Sequence, residues 1–334
     1  MNPQECEVYC AGDAVLDCGA VLVDARIAYV TFGELNAARD NAILIPTHFG
    51  GTHENSQYLI GNGFAIDPAR YFVIVVNLAG NGVSSSPSHG LGADFPRVSI
   101  ADNVRLQHEL LTESLGVNKL ALAAGHSMGA VTVFHWAALF PDFVERAAPI
   151  CGAARISVHN HVFLEGMRGI LVADPAFNGG HYTEPPRSGL RTMARAWAAW
   201  PPSAGFYRHA DYTTLGYTSV EDYLERYWET TYTGMDANNV IAQINTWQSA
   251  DIGALPAHGG DFQAALRSIS ARTVIMPCVS DAYFPPEDSE IETAAIPNAQ
   301  LRPIRSRWGH WAGSGRNADD TAFIDAQIRA LLSE

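Results

Sequence analysis

The chain has 334 residues and a mass of 36.1 kDa, and 47% of its residues are hydrophobic while 17% are charged. This composition excludes a disordered or fibrous protein, because the apolar side chains suffice for a packed core. With 21 basic and 35 acidic residues the net charge is −14, so we expect a small-molecule substrate, and no nucleic-acid or membrane partner.

Short apolar runs, several of which stop at glycine-rich turns, predict strands that are buried on both faces of a parallel sheet. These runs lie at residues 42–46, 71–76, 119–124, 147–151 and 273–279. Apolar residues three to four positions apart predict helices at 100–115 and 130–139, and a last amphipathic helix at 319–332. Strand and helix alternate along the chain, which predicts an α/β fold with a mostly parallel central sheet.

Residues 152–262 interrupt this alternation. The segment is rich in Trp, Tyr and Arg and shows helical patterns with few signs of strands. The clearest helical patterns fall at 190–200, 220–228 and 240–249. We interpret the segment as a helical cap inserted between two halves of the sheet, so that the catalytic core consists of residues 1–151 and 263–334.

The strongest chemical signal is the sequence GHSMG at residues 125–129, which follows a predicted strand and precedes a predicted helix. A G-x-S-x-G sequence in this position is typical of a nucleophile elbow, in which a serine occupies a strained turn. The helix that begins behind the serine directs partial positive charge toward a developing oxyanion. We therefore predict that Ser127 is a catalytic nucleophile.

A serine nucleophile needs a general base, and the base needs an acid that orients it. In elbow enzymes the acid and then the histidine follow the serine in the sequence. Asp281 follows the apolar run at 273–279 and is separated from it only by Ser280. His310 is the only histidine beyond Asp281. We predict Asp281 as the acid and His310 as the base, with Glu287 and Asp288 as weaker alternatives for the acid.

The oxyanion hole of such an enzyme combines the backbone N–H after the nucleophile with one from the loop after an early strand. These two positions are Met128 and Phe49. Gly50 belongs to the same glycine-rich turn, which we expect to approach the substrate closely. No metal site is predicted, because the Cys and His residues do not have the spacing of zinc ligands.

Several segments, in the right order, resemble the homoserine O-acetyltransferase family of α/β-hydrolase enzymes. They are the elbow segment GHSMGAVTVFHWAALFPD, the acid segment SDAYFPP that contains Asp281, and the cap segment FLEGMR that ends at Arg168. The resemblance extends over most of the chain and implies the α/β-hydrolase fold with an inserted helical cap. It also implies that Arg168 binds a substrate carboxylate, and that a homodimer forms through the cap.

One departure from the family pattern changes the expected substrate. Family transferases carry an Asp directly after the catalytic histidine, where it holds the amino group of homoserine, whereas this chain has Trp311. A Trp offers an ammonium only a weaker cation–π contact, and we expect Trp311 to contact the substrate. With Arg168 kept, we predict a hydrolase that acts on a small carboxylate-bearing ester, thioester or amide through an acyl-serine intermediate.

Two alternatives stay open at this point. The first is an acetyl-CoA-dependent O-acetyltransferase that acts on homoserine or another alcohol, and the second is a noncatalytic binding protein on a hydrolase scaffold. No cofactor is expected, and acetyl-CoA would be a co-substrate only of the transferase.

The sequence also indicates the compartment. An odd number of cysteines, five, fits reduced thiols better than a disulfide framework. The N-terminal segment lacks the apolar core of a signal peptide, and no stretch approaches the roughly 20 apolar residues that span a bilayer. These features predict a cytoplasmic protein.

Overall fold

A computed structural model describes residues 6–333 of the chain. The strands, in chain order, are β1 (Glu7–Val15), β2 (Val21–Phe32), β3 (Ala42–Pro46), β4 (Phe72–Val76), β5 (Leu120–His126), β6 (Arg146–Ile150), β7 (Arg272–Ile275) and β8 (Ala299–Leu301). They form one sheet of eight strands in the order β1-β2-β4-β3-β5-β6-β7-β8. Strand β2 pairs antiparallel with both β1 and β4, whereas β3 to β8 are joined in parallel.

The middle strands are buried on both faces, as their continuous apolar sequences predict. Every residue of β3 and of β5 is buried, and in β4 only Phe72 at the start is partly exposed. Apolar side chains occupy both sides of these strands, since helices pack against the sheet. The predicted α/β fold with a mostly parallel sheet is confirmed.

The helices, in chain order, are α1 (Ile100–Glu109), α2 (Met128–Leu139), α3 (Val158–Val172), α4 (Arg187–Trp197), α5 (Ala204–Arg208), α6 (Val220–Tyr223), α7 (Thr230–Thr233), α8 (Ala237–Gln248), α9 (Phe262–Ser268), α10 (Pro286–Ala295) and α11 (Ala318–Ser333). Wider π-helical turns extend α1 over Leu110–Ser114 and join α6 to α7 over Leu224–Glu229. Short 3-10 segments lie at His53–Leu59, Pro87–His89, Gly92–Asp94, Pro175–Gly180, Asp211–Leu215, Ile252–Ala254 and Gly309–Gly313. Within residues 6–333, no helix has the length and apolar character that crossing a membrane requires.

Helices α3 to α8 follow β6 and precede β7, and they pack mainly against one another. Helix α3 contacts α4 and α8, and α4 contacts α7. This part of the chain therefore forms a helical layer of its own, in agreement with an inserted cap. The cap boundaries at 152–262 stay a prediction.

The structure differs from the sequence-based elements at several places, among them helix α10, which was not predicted, and two regions of the sheet. The hairpin of β1 and β2 was not predicted. Most of β1 is exposed and its pairing is shifted at Gly12, so no continuous apolar run marks β1, and the short apolar run at 27–30 of β2 was not assigned to a strand. The strand predicted at 273–279 is shorter than expected. Its last part makes only isolated bridges, among them that of Cys278 with Ile304.

Candidate active site

Ser127 lies at the sharp turn between β5 and α2. Its backbone has φ 60° and ψ −126°, a conformation that is strained for a residue with a side chain. A Cβ on Gly125 would lie 2.6 Å from the backbone of Gly129, and a Cβ on Gly129 would lie 2.5 Å from the Pro46 carbonyl oxygen. The two glycines are therefore needed to hold the serine at the carboxyl end of β5, where open α/β sheets bind their ligands.

The acid and the histidine come from the loops after β7 and β8. Asp281 Oδ1 accepts hydrogen bonds from the backbone N–H groups of Tyr283 at 2.8 Å and Phe284 at 3.3 Å. The backbone N–H of His310 donates to the Pro201 carbonyl at 2.7 Å. These bonds fix the carboxylate and the main chain of the histidine, and they leave both ring nitrogens of His310 available.

The three side chains form one continuous hydrogen-bonded series. Ser127 Oγ lies 2.8 Å from His310 Nε2, and His310 Nδ1 lies 2.7 Å from Asp281 Oδ2. A carboxylate accepts the proton of Nδ1, which leaves Nε2 of the neutral ring free to accept the serine proton. All three residues are buried. The alternative acids Glu287 and Asp288 lie in the first turn of α10 and make no hydrogen bond with His310.

The two amides predicted for an oxyanion hole have no competing acceptors. Met128 is the first residue of α2, so its N–H has no partner within the helix. The Phe49 N–H makes no hydrogen bond with any residue that the structure describes. The N–H of Gly50, in contrast, donates to Gln243 Oε1 at 2.7 Å. Phe49 is thus the available donor of this turn, and Gly50 contributes to the wall of the site.

Two further histidines, His48 and His126, lie beside the base. The ring centroids of His126 and His310 are 4.6 Å apart, and those of His48 and His126 are 5.6 Å apart. Burial lowers the pKa of His48 to about 4 and holds the pKa of His126 well below its usual range. Both rings are neutral at pH 7 and do not repel a charged His310. His126 Nε2 donates to the His310 carbonyl at 3.0 Å, which fixes the backbone of the base.

A cavity of about 200 Å³ reaches Ser127 and His310. The core contributes Phe49, Tyr283 and Trp311 to its aromatic lining, and the cap contributes Trp197, Tyr227, Trp228, Tyr232 and Trp247. Trp311 stacks on Trp228 of the cap, with ring centroids 5.5 Å apart and planes inclined by 13°. Among the described residues that line this cavity there is no Asp or Glu, so no carboxylate is present to pair with an ammonium group.

The structure does not bring Arg168 to this cavity. Its Nη2 donates to Asn245 Oδ1 and Gln248 Oε1, both at 2.6 Å, and its Nε pairs with Glu165 Oε1 at 3.1 Å. The guanidinium therefore joins α3 to α8 inside the cap, in place of the predicted contact with a substrate carboxylate. A local sequence similarity could not reveal this, because the partners on α8 are distant in the chain.

Sequence reasoning missed Arg316 and Met235, which also line the cavity. Met235 in addition lines a second cavity of about 320 Å³, which shares Phe49 and Gly50 with the first. Neither residue belongs to a recognisable motif, so the sequence alone carries no signal for them. Over residues 6–333, no group of three or more His, Cys, Asp or Glu side chains is arranged to hold a metal ion.

Comparison with known proteins agrees with this geometry. A family model described as the alpha/beta hydrolase fold matches residues 41–313. The ethyl acetate hydrolase of Pseudomonas veronii is 38% identical over 329 residues, which covers 96% of this chain and 94% of that protein. A homoserine O-acetyltransferase of Trichormus variabilis is 33% identical over 315 residues, which covers 88% of this chain and 86% of that protein.

The solved structure of the acetyl esterase MekB superimposes with a TM-score of 0.96 at 38% identity, over 100% of this chain and 98% of that chain. The ethyl acetate hydrolase and the acetyl esterase structure each show 38% identity to this chain, and the transferase shows 33%. The predicted fold and the predicted family resemblance are both confirmed. The chain is an enzyme of the α/β-hydrolase family, in the group that contains esterases and homoserine O-acetyltransferases.

Proposed function

We propose that this enzyme hydrolyses small esters, acetate esters above all, through an acyl-serine intermediate. The observation that carries the proposal is the hydrogen-bonded series of Ser127, His310 and Asp281 at the end of an aromatic cavity of about 200 Å³. A cavity of this size suits a small ester. The printed names of the ethyl acetate hydrolase and the acetyl esterase point to the acetyl group.

In the first half of the proposed reaction, Ser127 Oγ attacks the ester carbonyl while His310 Nε2 accepts its proton. Asp281 keeps the Nδ1 proton of His310 in place and stabilises the imidazolium. The amides of Met128 and Phe49 donate to the oxyanion of the tetrahedral intermediate. The intermediate collapses when the bond to the alkoxide oxygen breaks, and His310 returns its proton to the departing alcohol.

In the second half, water occupies the place of the alcohol and attacks the acyl-serine carbonyl. His310 accepts a proton from the water and then passes it to Ser127 Oγ as the bond between serine and acyl group breaks. The products are a carboxylic acid and the regenerated serine. This sequence of steps needs no metal or cofactor, and the absence of a cofactor stays a prediction.

A transferase would carry out the same first half with acetyl-CoA and replace water by an alcohol. The similarity to homoserine O-acetyltransferases supports this second candidate. The lining of the cavity favours hydrolysis, because Trp311 stacks on Trp228 and no described acidic residue lines the cavity to bind the ammonium of homoserine. We therefore propose the esterase, with a cytoplasmic location and a homodimer through the cap as further predictions.

The test of the esterase uses ethyl acetate and 4-nitrophenyl acetate with the wild type and with Ser127→Ala. We expect kcat/KM to fall by at least about 10³-fold in the variant, since the oxyanion hole alone leaves only residual activity. Ser289→Ala is the matched control, because Ser289 is buried, its hydroxyl has no hydrogen-bond partner among residues 6–333, and it does not line the cavity. A fluorophosphonate should label the wild type and the control but not Ser127→Ala.

A second assay separates the hydrolase from the transferase. The enzyme is incubated with acetyl-CoA and homoserine, and thiol release and the acetylated product are measured by mass spectrometry. The esterase proposal predicts fast hydrolysis of ethyl acetate and no more than background formation of O-acetylhomoserine. Rapid acetylation of homoserine would overturn the proposal in favour of the transferase.

A further inference from the structure

Arg316 lies at the mouth of the catalytic cavity, in the short segment between the base and α11. It is exposed and yet lines the cavity together with Ser127 and His310. The preceding Gly315 has φ +76°, and a Cβ there would lie 2.4 Å from the ring of Tyr58. This close approach, with the hydrogen bond from the Tyr58 hydroxyl to the Gly313 carbonyl, fixes the segment that presents Arg316.

The guanidinium of Arg316 is held by aromatic groups. Its central carbon lies 4.2 Å from the ring centroid of Trp311 and 4.9 Å from that of Tyr227. Its Nη2 donates to the Tyr227 hydroxyl at 2.6 Å. Cation–π contacts orient the planar group and leave its charge uncompensated, and the remaining N–H groups are free to bind a ligand.

No carboxylate neutralises this cation. Arg316 has no ion-pair partner among residues 6–333, although the chain has 35 acidic residues and only 21 basic ones. The arginine of the cap that the sequence singled out, Arg168, has its N–H groups bound to Glu165, Asn245 and Gln248. The unusual feature of this site is therefore an arginine at the mouth of a cavity that is held by aromatic rings and has no ion-pair partner among the described residues.

We propose that Arg316 binds a carboxylate group of the ester substrate, at the end remote from the scissile carbonyl. The proposal rests on the esterase activity proposed above and assigns its substrate class: small esters that carry one negative charge. An arginine presents two parallel N–H groups that match a carboxylate. The strongly negative net charge makes the protein surface as a whole unfavourable to anions, so a local cation matters for this class of substrate.

The experiment compares matched pairs of charged and neutral esters of nearly equal size. 3-Acetoxypropanoate and 3-acetoxypropanamide place the carboxylate or its neutral amide on the alcohol side of the ester bond. Monoethyl succinate and ethyl succinamate place it on the acyl side. In the wild type, kcat/KM should favour the charged member of one pair by about 10-fold, and the pair concerned shows on which side Arg316 acts.

The variant Arg316→Gln should abolish this preference, because kcat/KM should fall by about 10-fold more for the charged ester than for the neutral ester, chiefly through a rise in KM. Arg316→Lys should keep part of the preference, because the charge stays but the planar fork is lost. Arg168→Gln is the comparison variant: its ratio of charged to neutral kcat/KM should equal that of the wild type. Added salt should reduce the wild-type preference.

The outcomes distinguish the two proposals. If the wild type hydrolyses both neutral esters but prefers neither charged ester, the role of Arg316 is refuted and the esterase stands. Equal losses for charged and neutral esters in Arg316→Gln would show that Arg316 only braces Trp311 and Tyr227, which also refutes the role. If the wild type hydrolyses ethyl acetate but none of the four esters, the substrate class assigned to Arg316 is refuted and the esterase stands, whereas the esterase itself fails only if ethyl acetate is not hydrolysed either.

Discussion

The carboxyl edge of the sheet and the cap contribute different chemistry to the same cavity. The loops at the sheet edge supply Ser127, Asp281 and His310, whose polar atoms are joined by hydrogen bonds of 2.7 and 2.8 Å. The cap supplies mainly indole and phenol rings, such as Trp228 and Tyr232, that pack by contact. The reacting groups thus stand on loops at the edge of the sheet, and much of the wall stands on the inserted layer.

The difference teaches which substitutions should act on the reaction and which on the choice of substrate. Groups at the sheet edge are tied to backbone positions by strands, glycine contacts and amide bonds, so their loss affects every substrate alike. The cap residues line the cavity without belonging to the hydrogen-bonded series, so we expect their loss to change the ratio between substrates.

The largest expected effect comes from Asp281→Asn. The amide cannot hold the Nδ1 proton of His310 in the same way, so the tautomer with an unprotonated Nε2 is no longer favoured. We expect kcat to fall by about 10³- to 10⁴-fold for acetate and butanoate esters alike. Asp288→Asn is the matched control and should change kcat less than about 2-fold. Equal losses in the two variants, or a loss confined to one ester, would contradict the assignment of the acid.

A smaller effect, on selectivity, should follow from Met235→Ala in the cap. Met235 lines both the catalytic cavity of about 200 Å³ and the neighbouring cavity of about 320 Å³. Its shortening should join the two and admit longer chains. With about 0.8 kcal/mol for each buried methylene, the ratio of kcat/KM for ethyl butanoate over ethyl acetate should rise by roughly 10-fold.

The control for this prediction is Met167→Ala. Met167 is buried in the cap but lines neither cavity, so its truncation removes the same side-chain atoms without a change in the cavity wall. We expect its ratio between the two esters to stay at the wild-type value, even if its melting temperature falls. A Met235→Ala enzyme with an unchanged ratio would show that the second cavity is not accessible to substrate.

The same contrast explains how much the sequence could predict. The catalytic residues at the sheet edge can be predicted from local features of the sequence. Apolar runs predict the strands, GHSMG predicts the elbow, and an acid and then a histidine follow it in the chain. The structure brings those three residues together. The hairpin of β1 and β2 was not predicted because β1 is mostly exposed and bulged, so only the four apolar residues at 27–30 of β2 mark the pair.

The cap could be predicted as helical, but the roles of its residues could not. Arg168 looked like a substrate ligand, whereas its N–H groups bind partners on α8 that are far away in the sequence. Arg316 lies in no motif, and its position at the cavity depends on Gly315 packing against Tyr58. Contacts between distant side chains decide such roles, and a single sequence does not contain them.

Glu292→Gln should change turnover least, and its expected effect is on stability. Glu292 lies on α10, where this helix meets the segment that leads from β6 into the cap. Glu292 is buried, and its Oε1 accepts from the Ala154 N–H at 2.6 Å while Oε2 has no partner among the described residues. Burial, with a smaller contribution from Asp288, raises the pKa of Glu292 from 4.5 to about 8. The folded protein therefore keeps a neutral acid that the unfolded chain would ionise.

The consequence for stability has a definite sign. Between pH 4.5 and pH 8 the folded state holds a proton that the unfolded state has lost, so the free energy of unfolding of the wild type falls as pH rises. Gln imitates the neutral acid and has no such dependence, so Glu292→Gln should gain stability relative to the wild type from pH 5 to pH 8, by about 1 to 3 kcal/mol. Urea unfolding at several pH values measures the difference. Glu290→Gln is the control, because it removes an exposed charge from the same helix and should not show this gain. Parallel curves of unfolding free energy against pH for the wild type and Glu292→Gln would mean that Glu292 is ionised at the junction between sheet and cap.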